Sequence, residues 1–190
     1  ISYGNIKNSY LGFPDYGEQK DFHIKWYHKQ DPKANPLLNF SANLEAGSST
    51  YHRNNSFDPN DYLKNTMSSN INLSKSWGNA LINNLNVSLR HSQNISNNNI
   101  SLTLPDISIN SRRIYPFKYI GRISKNNWYD KISIKYNMNT KNTISTLDSL
   151  LFSENSISEF RNGMKHSIPI STSTKILKHF NLTSNLNLTE

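Results

Sequence analysis

Residues 99–118 read NISLTLPDISINSRRIYPFK. Ile100, Leu102 and Leu104 alternate with polar neighbours, and so do Ile107 and Ile109, but the two runs are out of phase across Leu104-Pro105-Asp106. A period of two marks a strand with unlike faces. Proline has no N–H for the ladder and is confined to edges or bulges. A bulge inserts one residue and reverses the faces beyond it. The stretch therefore predicts a long strand bulged at Pro105 and Asp106, with its apolar side chains all on one side. Arg112 then falls on the polar side with Ser108 and Asn110. Arg113 faces outward, which fits only where the apolar environment ends, near Ser111.

The same period runs outward in both directions. In 38–46, Leu38, Phe40, Ala42, Leu44 and Ala46 oppose Asn39, Ser41, Asn43 and Glu45. Leu85, Val87 and Leu89 oppose Asn84, Asn86, Ser88 and Arg90, and in 180–189 Phe180, Leu182, Leu186 and Leu188 oppose Asn181, Thr183, Asn185 and Asn187. A strand over 128–140 would set Ile132, Ile134, Tyr136 and Met138 against Lys131, Ser133, Lys135 and Asn137. Segments 20–29, 66–77 and 165–177 alternate less cleanly, and residues 1–10 have room for one more strand. Turn chemistry at Asp31–Pro36, Gly78-Asn79, Ser96–Asn99 and Lys178-His179 separates the runs. The expectation is an all-β chain, an antiparallel up-and-down meander of about nine long strands. Longer loops fall near 52–63 and 141–164. Within the latter, Leu147, Leu150, Leu151, Phe160 and Met164 have helical spacing, so either a short amphipathic helix or an irregular anchored loop fits.

Composition narrows the setting of such a sheet. The chain has 190 residues, of which only 35% are hydrophobic, yet 11% are aromatic. That is too few apolar side chains for an ordinary packed core, and too many aromatics for a disordered chain. A sandwich or a lipocalin-like barrel buries its apolar face, whereas a membrane barrel turns it to lipid and lines a wet lumen with the polar one. Strand length favours the last, since about 9–11 residues are needed to cross a bilayer. Aromatics near strand ends (Trp26, Tyr27, Tyr51, Trp77, Trp128, Phe180) resemble interfacial girdles. The whole chain, 1–190, is thus expected to be part of one transmembrane β-barrel domain.

Charge adds a partner class. The net charge is +8 and the pI about 9.6, compatible with nucleic acid, anionic lipid or an anionic glycolipid. Acidic residues, Asp106 among them, concentrate in turns and loops, with Glu45 the strand exception. The basic Lys25, Arg90, Arg112, Lys131 and Lys135 fall on polar faces and are the candidate ligand-binding cations of a lumen. Alternatively they are simply solvated, or paired with acids of other strands. The basic residues are spread over many strands without a nucleic-acid-binding motif, which argues against nucleic acid.

Catalytic and metal chemistry finds no foothold in the spacing. No nucleophile elbow, HExxH, P-loop or Rossmann fingerprint occurs, so no enzyme activity, cofactor or metal is expected. Of the six histidines, none pairs with metal-ligand spacing on one strand face; His23 and His28 would point oppositely. There is no cysteine, which excludes a disulfide framework. Asn-x-Ser/Thr triplets such as those at Asn86 and Asn187 follow from alternating Asn and Ser in strands.

Several stretches resemble the outer-membrane LPS-assembly family LptD, the organic solvent tolerance proteins, in its Bacteroidetes-type form. They are DFHIKWYHKQDPKANP (21–36), FSANLEAGSSTY (40–51), DPNDYLKNTMSSNINLSKSW (58–77), LRHSQN (89–94), SLTLPDISINSRRIYPFK (101–118) and NGMKHSIPIS (162–171). The resemblance implies an internal piece of a bacterial outer-membrane barrel that inserts lipopolysaccharide into the outer leaflet. It also implies an LptE-like plug lipoprotein in the lumen and periplasmic LPS-bridge proteins as partners, with outer-membrane lipid outside. A passive porin is the alternative, and a secreted β-sandwich adhesin a more distant one.

Overall fold

The computed structural model describes the chain except for residues 79, 120–126, 152, 154, 155, 157 and 177–179. Ten strands form a single antiparallel sheet. They are β1 (Ser2–Lys7), β2 (Glu18–Lys29), β3 (Leu38–Gly47), β4 (Thr66–Ser76), β5 (Ile82–Asn94), β6 (Asn99–Ser111), β7 (Ser133–Ile134), β8 (Asn137–Leu147), β9 (Arg161–Ile176) and β10 (Phe180–Thr189). Neighbours in the sheet follow chain order, so the topology is a meander, with β1 and β10 at its open edges; the two-residue β7 pairs with β9.

β7 and β8 are one strand with a gap. Ser133 and Ile134 oppose Ser171 and Ile170, and Asn137 opposes Ser167 in the same register. Between them Lys135 donates its N–H to the carbonyl of Pro169, 3.1 Å away. Pro169 has no N–H to return, so the reciprocal bond of that pair is missing and the ladder lapses for one step.

The expectation of a strand over 128–140 is corrected accordingly. Trp128–Lys131 is a 3-10 turn, closed by a capping box in which Asn127 and Asp130 bond each other's backbone. At the other end the strand runs on to Leu147, where the sequence suggested a loop from 141. The connection to β9 shrinks to 148–160 and opens with a 3-10 turn, Asp148–Leu150. Part of the possible helix there, and the turns at Gly78-Asn79 and Lys178-His179, lie at least partly outside the described residues.

β6 carries the register shift. On the β5 side Asp106 opposes Ser88 while Thr103 opposes Arg90, so Leu104 and Pro105 together face Leu89. On the β8 side the same two residues face Asn142 alone. As a result Ile100 and Leu102, opposite Gln93 and His91, share a face with Ile107 and Ile109, opposite Val87 and Leu85. Asp106 is corrected from turn to strand: it lies on the polar face of β6.

Reading the pairs across the sheet gives two unlike faces. One carries Ile24, Trp26, Phe40, Leu44, Ile71, Leu73, Val87, Ile107, Met138, Ile168 and Leu186; the other carries Asn43, Asn70, Asn72, Ser88, Arg90, Asn139 and Lys165. No second sheet lies on the apolar face among the described residues. Only Ala42, Met67, Ile100 and Ile144 are buried hydrophobics there, while Leu186 remains 57% exposed. A face so incompletely covered would be unstable against water, since each exposed aliphatic side chain forgoes about 1.5–3 kcal/mol of burial.

Connections leave the sheet at two ends. The first end carries 8–17, 48–65, 95–98 and 148–160; the second carries 30–37, 77–81 and 112–132. The loop 48–65 contains helices α1 (Tyr51–Asn55) and α2 (Pro59–Tyr62), the latter capped by Asp58. It folds back over the polar face of β1 and β2. Gly4 makes room for it, because a Cβ there would sit 2.2 Å from the Asn55 side-chain oxygen. The buried Asp21 holds it, accepting hydrogen bonds from Thr50 at 2.6 Å and Asn54 at 3.0 Å.

Candidate functional site

The structure places the sequence-predicted cations in different environments, Lys25, Arg90 and Lys135 on the polar face of the sheet and Arg112 and Lys131 in the connection between β6 and β7. Lys25 is exposed on β2, with Glu45 of β3 across from it in register. Arg90 is paired with Asp106, so its charge is largely met within the sheet. Lys135 sits half-buried at the gap between β7 and β8. Arg112 follows the end of β6 and donates its N–H to the Leu81 carbonyl at 2.9 Å.

Lys131 is the exception that finds company. It lies in the 3-10 turn after Asn127, not on a strand, and lines a cleft of about 690 Å³ at the second end of the sheet. Arg113, Lys118 and Tyr129 line the same cleft, whose floor is Ser171 and Ser173 of β9 with Thr183 and Asn185 of β10. Those floor residues belong to the polar face, because Ser171 opposes Asn185 and Ser173 opposes Thr183. Arg113 is therefore corrected: it does not face outward past the end of β6 but turns into this cleft.

The local reason is a second register shift, which begins after Ser111. The Ser111 hydroxyl accepts the Tyr136 N–H at 2.7 Å and donates to the Arg112 carbonyl at 3.1 Å, while Ser111 N–H donates to the Tyr136 carbonyl at 2.8 Å. Ser111 thus opposes Tyr136 while Ile114 bridges Ile134, so Arg112 and Arg113 together face Lys135, and this extra residue returns Arg113 to the polar side.

Three basic side chains and one carboxylate, Asp130, line the cleft among the described residues. Asp130 is engaged in its own turn, accepting the Asn127 N–H at 3.1 Å. Guanidinium and ammonium groups beside serine, threonine and tyrosine hydroxyls suit a phosphate or carboxylate ligand, through charge-assisted hydrogen bonds. Sequence reading missed Arg113 and Lys118 as site members because the connection after β6 has no period. The Asn127-x-x-Asp130 cap was the signal that Lys131 belongs to a turn.

A second constellation lies at the first end, under α1. The described residues that could hold a metal are His23, Glu45 and His52. Glu45 is also bound by the Lys64 ammonium. The His52 ring is 5% exposed, and neither of its nitrogens has a hydrogen-bond partner. Burial holds its pKa below the ordinary histidine value, and the charge of neighbouring His23 acts in the same direction, so the ring is neutral near pH 7.

A single antiparallel sheet with one apolar face left bare, and the other wet and cationic, has the surfaces of an outer-membrane β-barrel wall. The chain belongs to the LptD protein family, whose model matches residues 1–190. It is accordingly an outer-membrane protein of lipopolysaccharide assembly and transport, a family of transport proteins rather than enzymes. No curated protein and no solved structure matches the chain at a significant level.

Proposed function

We propose that this sheet is part of the wall of a barrel translocon that delivers lipopolysaccharide to the outer leaflet, with the apolar face to lipid and the polar face to the lumen. The observation that carries this reading is the register that keeps the large aliphatic side chains of β3 to β10 mainly on one face, held through β6 by its register shift. In this arrangement the second-end cleft presents Arg113, Lys118 and Lys131 to the lumen, where they pair with phosphates of the lipid A or core region. Lys25 and Lys135 extend the same cationic surface. The loops 48–65 and 148–160, which leave from one end, face outside. An LptE-like lipoprotein fills the remaining lumen, and periplasmic bridge proteins supply the lipid.

The test is charge reversal in the intact barrel. Arg113→Glu combined with Lys131→Glu is expected to sensitise cells to large antibiotics at normal protein level, with less lipopolysaccharide reaching the surface. Unchanged sensitivity and unchanged surface lipopolysaccharide would remove the cleft from the pathway. A steady open conductance of the reconstituted barrel, selective for anions, would instead support a porin.

A further inference from the structure

Three side chains from three successive elements meet on the polar face at the first end of the sheet: His23 of β2, Glu45 of β3 and His52 of α1. His23 Nε2 lies 3.3 Å from Glu45 Oε1, and His52 Nε2 lies 3.9 Å from the same oxygen. All three ligand atoms fall within 4.8 Å of one another. The two imidazoles stand edge to face, with ring centroids 4.8 Å apart, and His23 stacks on Tyr51 at 5.0 Å.

Independent of that clustering, His52 has no hydrogen-bond partner. It is buried to 5% exposure, and both ring nitrogens lack a hydrogen bond. A neutral imidazole carries one donor and one acceptor, and buried polar groups in native proteins are almost always satisfied. An unsatisfied nitrogen aimed at a carboxylate and a second imidazole is the situation a cation resolves.

We propose that His23, Glu45 and His52 bind a divalent transition-metal ion of the zinc type. Two imidazoles and a carboxylate are a zinc donor set that leaves a fourth position for water. Bonds of about 2.0–2.1 Å in a tetrahedron place donor atoms about 3.3 Å apart. The His23–Glu45 spacing already meets that; His52 has to close by roughly half an ångström on Glu45 and, since the cluster spans up to 4.8 Å, by up to about 1.5 Å on His23. Hard cations such as calcium prefer more oxygens than this site offers.

Lys64 is the competitor. Its ammonium reaches Glu45 Oε1, the oxygen both histidines face, and its side chain is 31% exposed, so it can swing into solvent as the metal enters. The metal would then bind α1 to β2 and β3, clamping the loop 48–65 over the polar face. A chain without cysteine has no disulfide to do this. Metal binding here is independent of what passes through the lumen.

The experiment uses the intact barrel purified in detergent, stripped with a chelator and titrated with zinc chloride. One saturable site per chain is expected. His23→Ala and His52→Ala should each weaken it at least tenfold. Lys64→Ala should tighten it, a direction that a purely structural role for the cluster does not give. His28→Ala, on the opposite face of β2, should leave it unchanged. Cobalt(II) in the unmutated protein should give the intense visible spectrum of tetrahedral nitrogen–oxygen coordination, which holds even if a histidine variant fails to assemble. Zinc should also slow proteolysis within 48–65. No saturable binding by the unmutated protein, an octahedral cobalt spectrum, or equal affinity in a folded His52→Ala variant would each overturn the proposal.

Discussion

Arg90 of β5 and Asp106 of β6 pair on the polar face because Leu104 and Pro105 together oppose the single residue Leu89. Before the shift Arg90 faces Thr103; in that register Asp106 would fall opposite Val87, among the apolar side chains. After it, Asp106 faces Ser88 and lies diagonal to Arg90. The extra residue thus brings an ion pair to the wet side and keeps Ile107 and Ile109 on the other.

The first prediction removes that residue. Deleting Pro105 leaves Leu104 alone opposite Leu89, with Asp106 still facing Ser88 and Ile107 still facing Val87, so the alternation becomes regular and both faces are kept. Deleting Ser108 instead, beyond the shift, turns Ile109 to the polar face, since a one-residue slip exchanges every side chain beyond it. The Pro105 deletion is expected to assemble and the Ser108 deletion to abolish assembly, read as retention or loss of the heat-modifiable folded band in outer-membrane fractions. Pro105→Ala keeps the two-against-one count and should assemble. If the Ser108 deletion assembles as well as the Pro105 deletion, the alternation is not what holds the faces.

A second prediction tests which face meets lipid. Val87 lies mid-strand on the apolar face, between Leu73 of β4 and Ile107 of β6. Its chain neighbours Asn86 and Ser88 face the other way. Val87→Lys should cost about 2–4 kcal/mol in a bilayer-facing position, and accumulate as unassembled protein. Asn86→Lys and Ser88→Lys should assemble normally. The reverse order would mean that the polar face is turned to lipid.

Strand number, chain order and the division of faces were legible because a period of two needs no knowledge of partners. It reads well in β3, β5 and β10, where branched or aromatic residues alternate with Asn and Ser. It fails in β8, whose apolar-side positions include Thr140 and Thr146, too polar to mark a face, so the strand seemed to end early. It failed differently at Lys131, where the apolar alternation of Ile132 and Ile134 ran back into a capped turn. The cleft and the histidine cluster depend on contacts across the sheet. Arg113 lines the cleft with Ser171 only because it shares with Arg112 the single place opposite Lys135, and His52 meets His23 only because a loop folds onto the sheet. No spacing along one strand records either event.

The third prediction concerns the gap between β7 and β8. Pro169 accepts from the Lys135 N–H but cannot donate in return. Pro169→Val supplies the donor in a position that already has strand geometry on both sides, since Pro169 also opposes Asn187 of β10. One added backbone bond should stabilise the barrel by about 0.5–1.5 kcal/mol, measured as a shift in its urea unfolding midpoint in detergent. The new amide at 169 should be protected from hydrogen exchange. An unprotected amide there would mean that the gap has another cause.

The last prediction concerns the anchor of the loop 48–65. Asp21 is 1% exposed and accepts from Gln19, Thr50, Asn54 and Asn55, all uncharged donors. Three of these belong to the loop or α1, so the carboxylate joins β2 to the loop rather than β2 to β3. Asp21→Ala removes the acceptor while leaving the backbone ladder with Gly4 intact. The cost, about 1–3 kcal/mol for donors left without a partner, should appear as local opening of the loop. Cleavage by chymotrypsin at Tyr51 and Tyr62 should accelerate, while the heat-modifiable barrel stays folded. Loss of the whole barrel would mean that Asp21 supports the sheet itself. Unchanged cleavage would mean that the loop is held by other contacts, with Tyr51 against His23 the first to test.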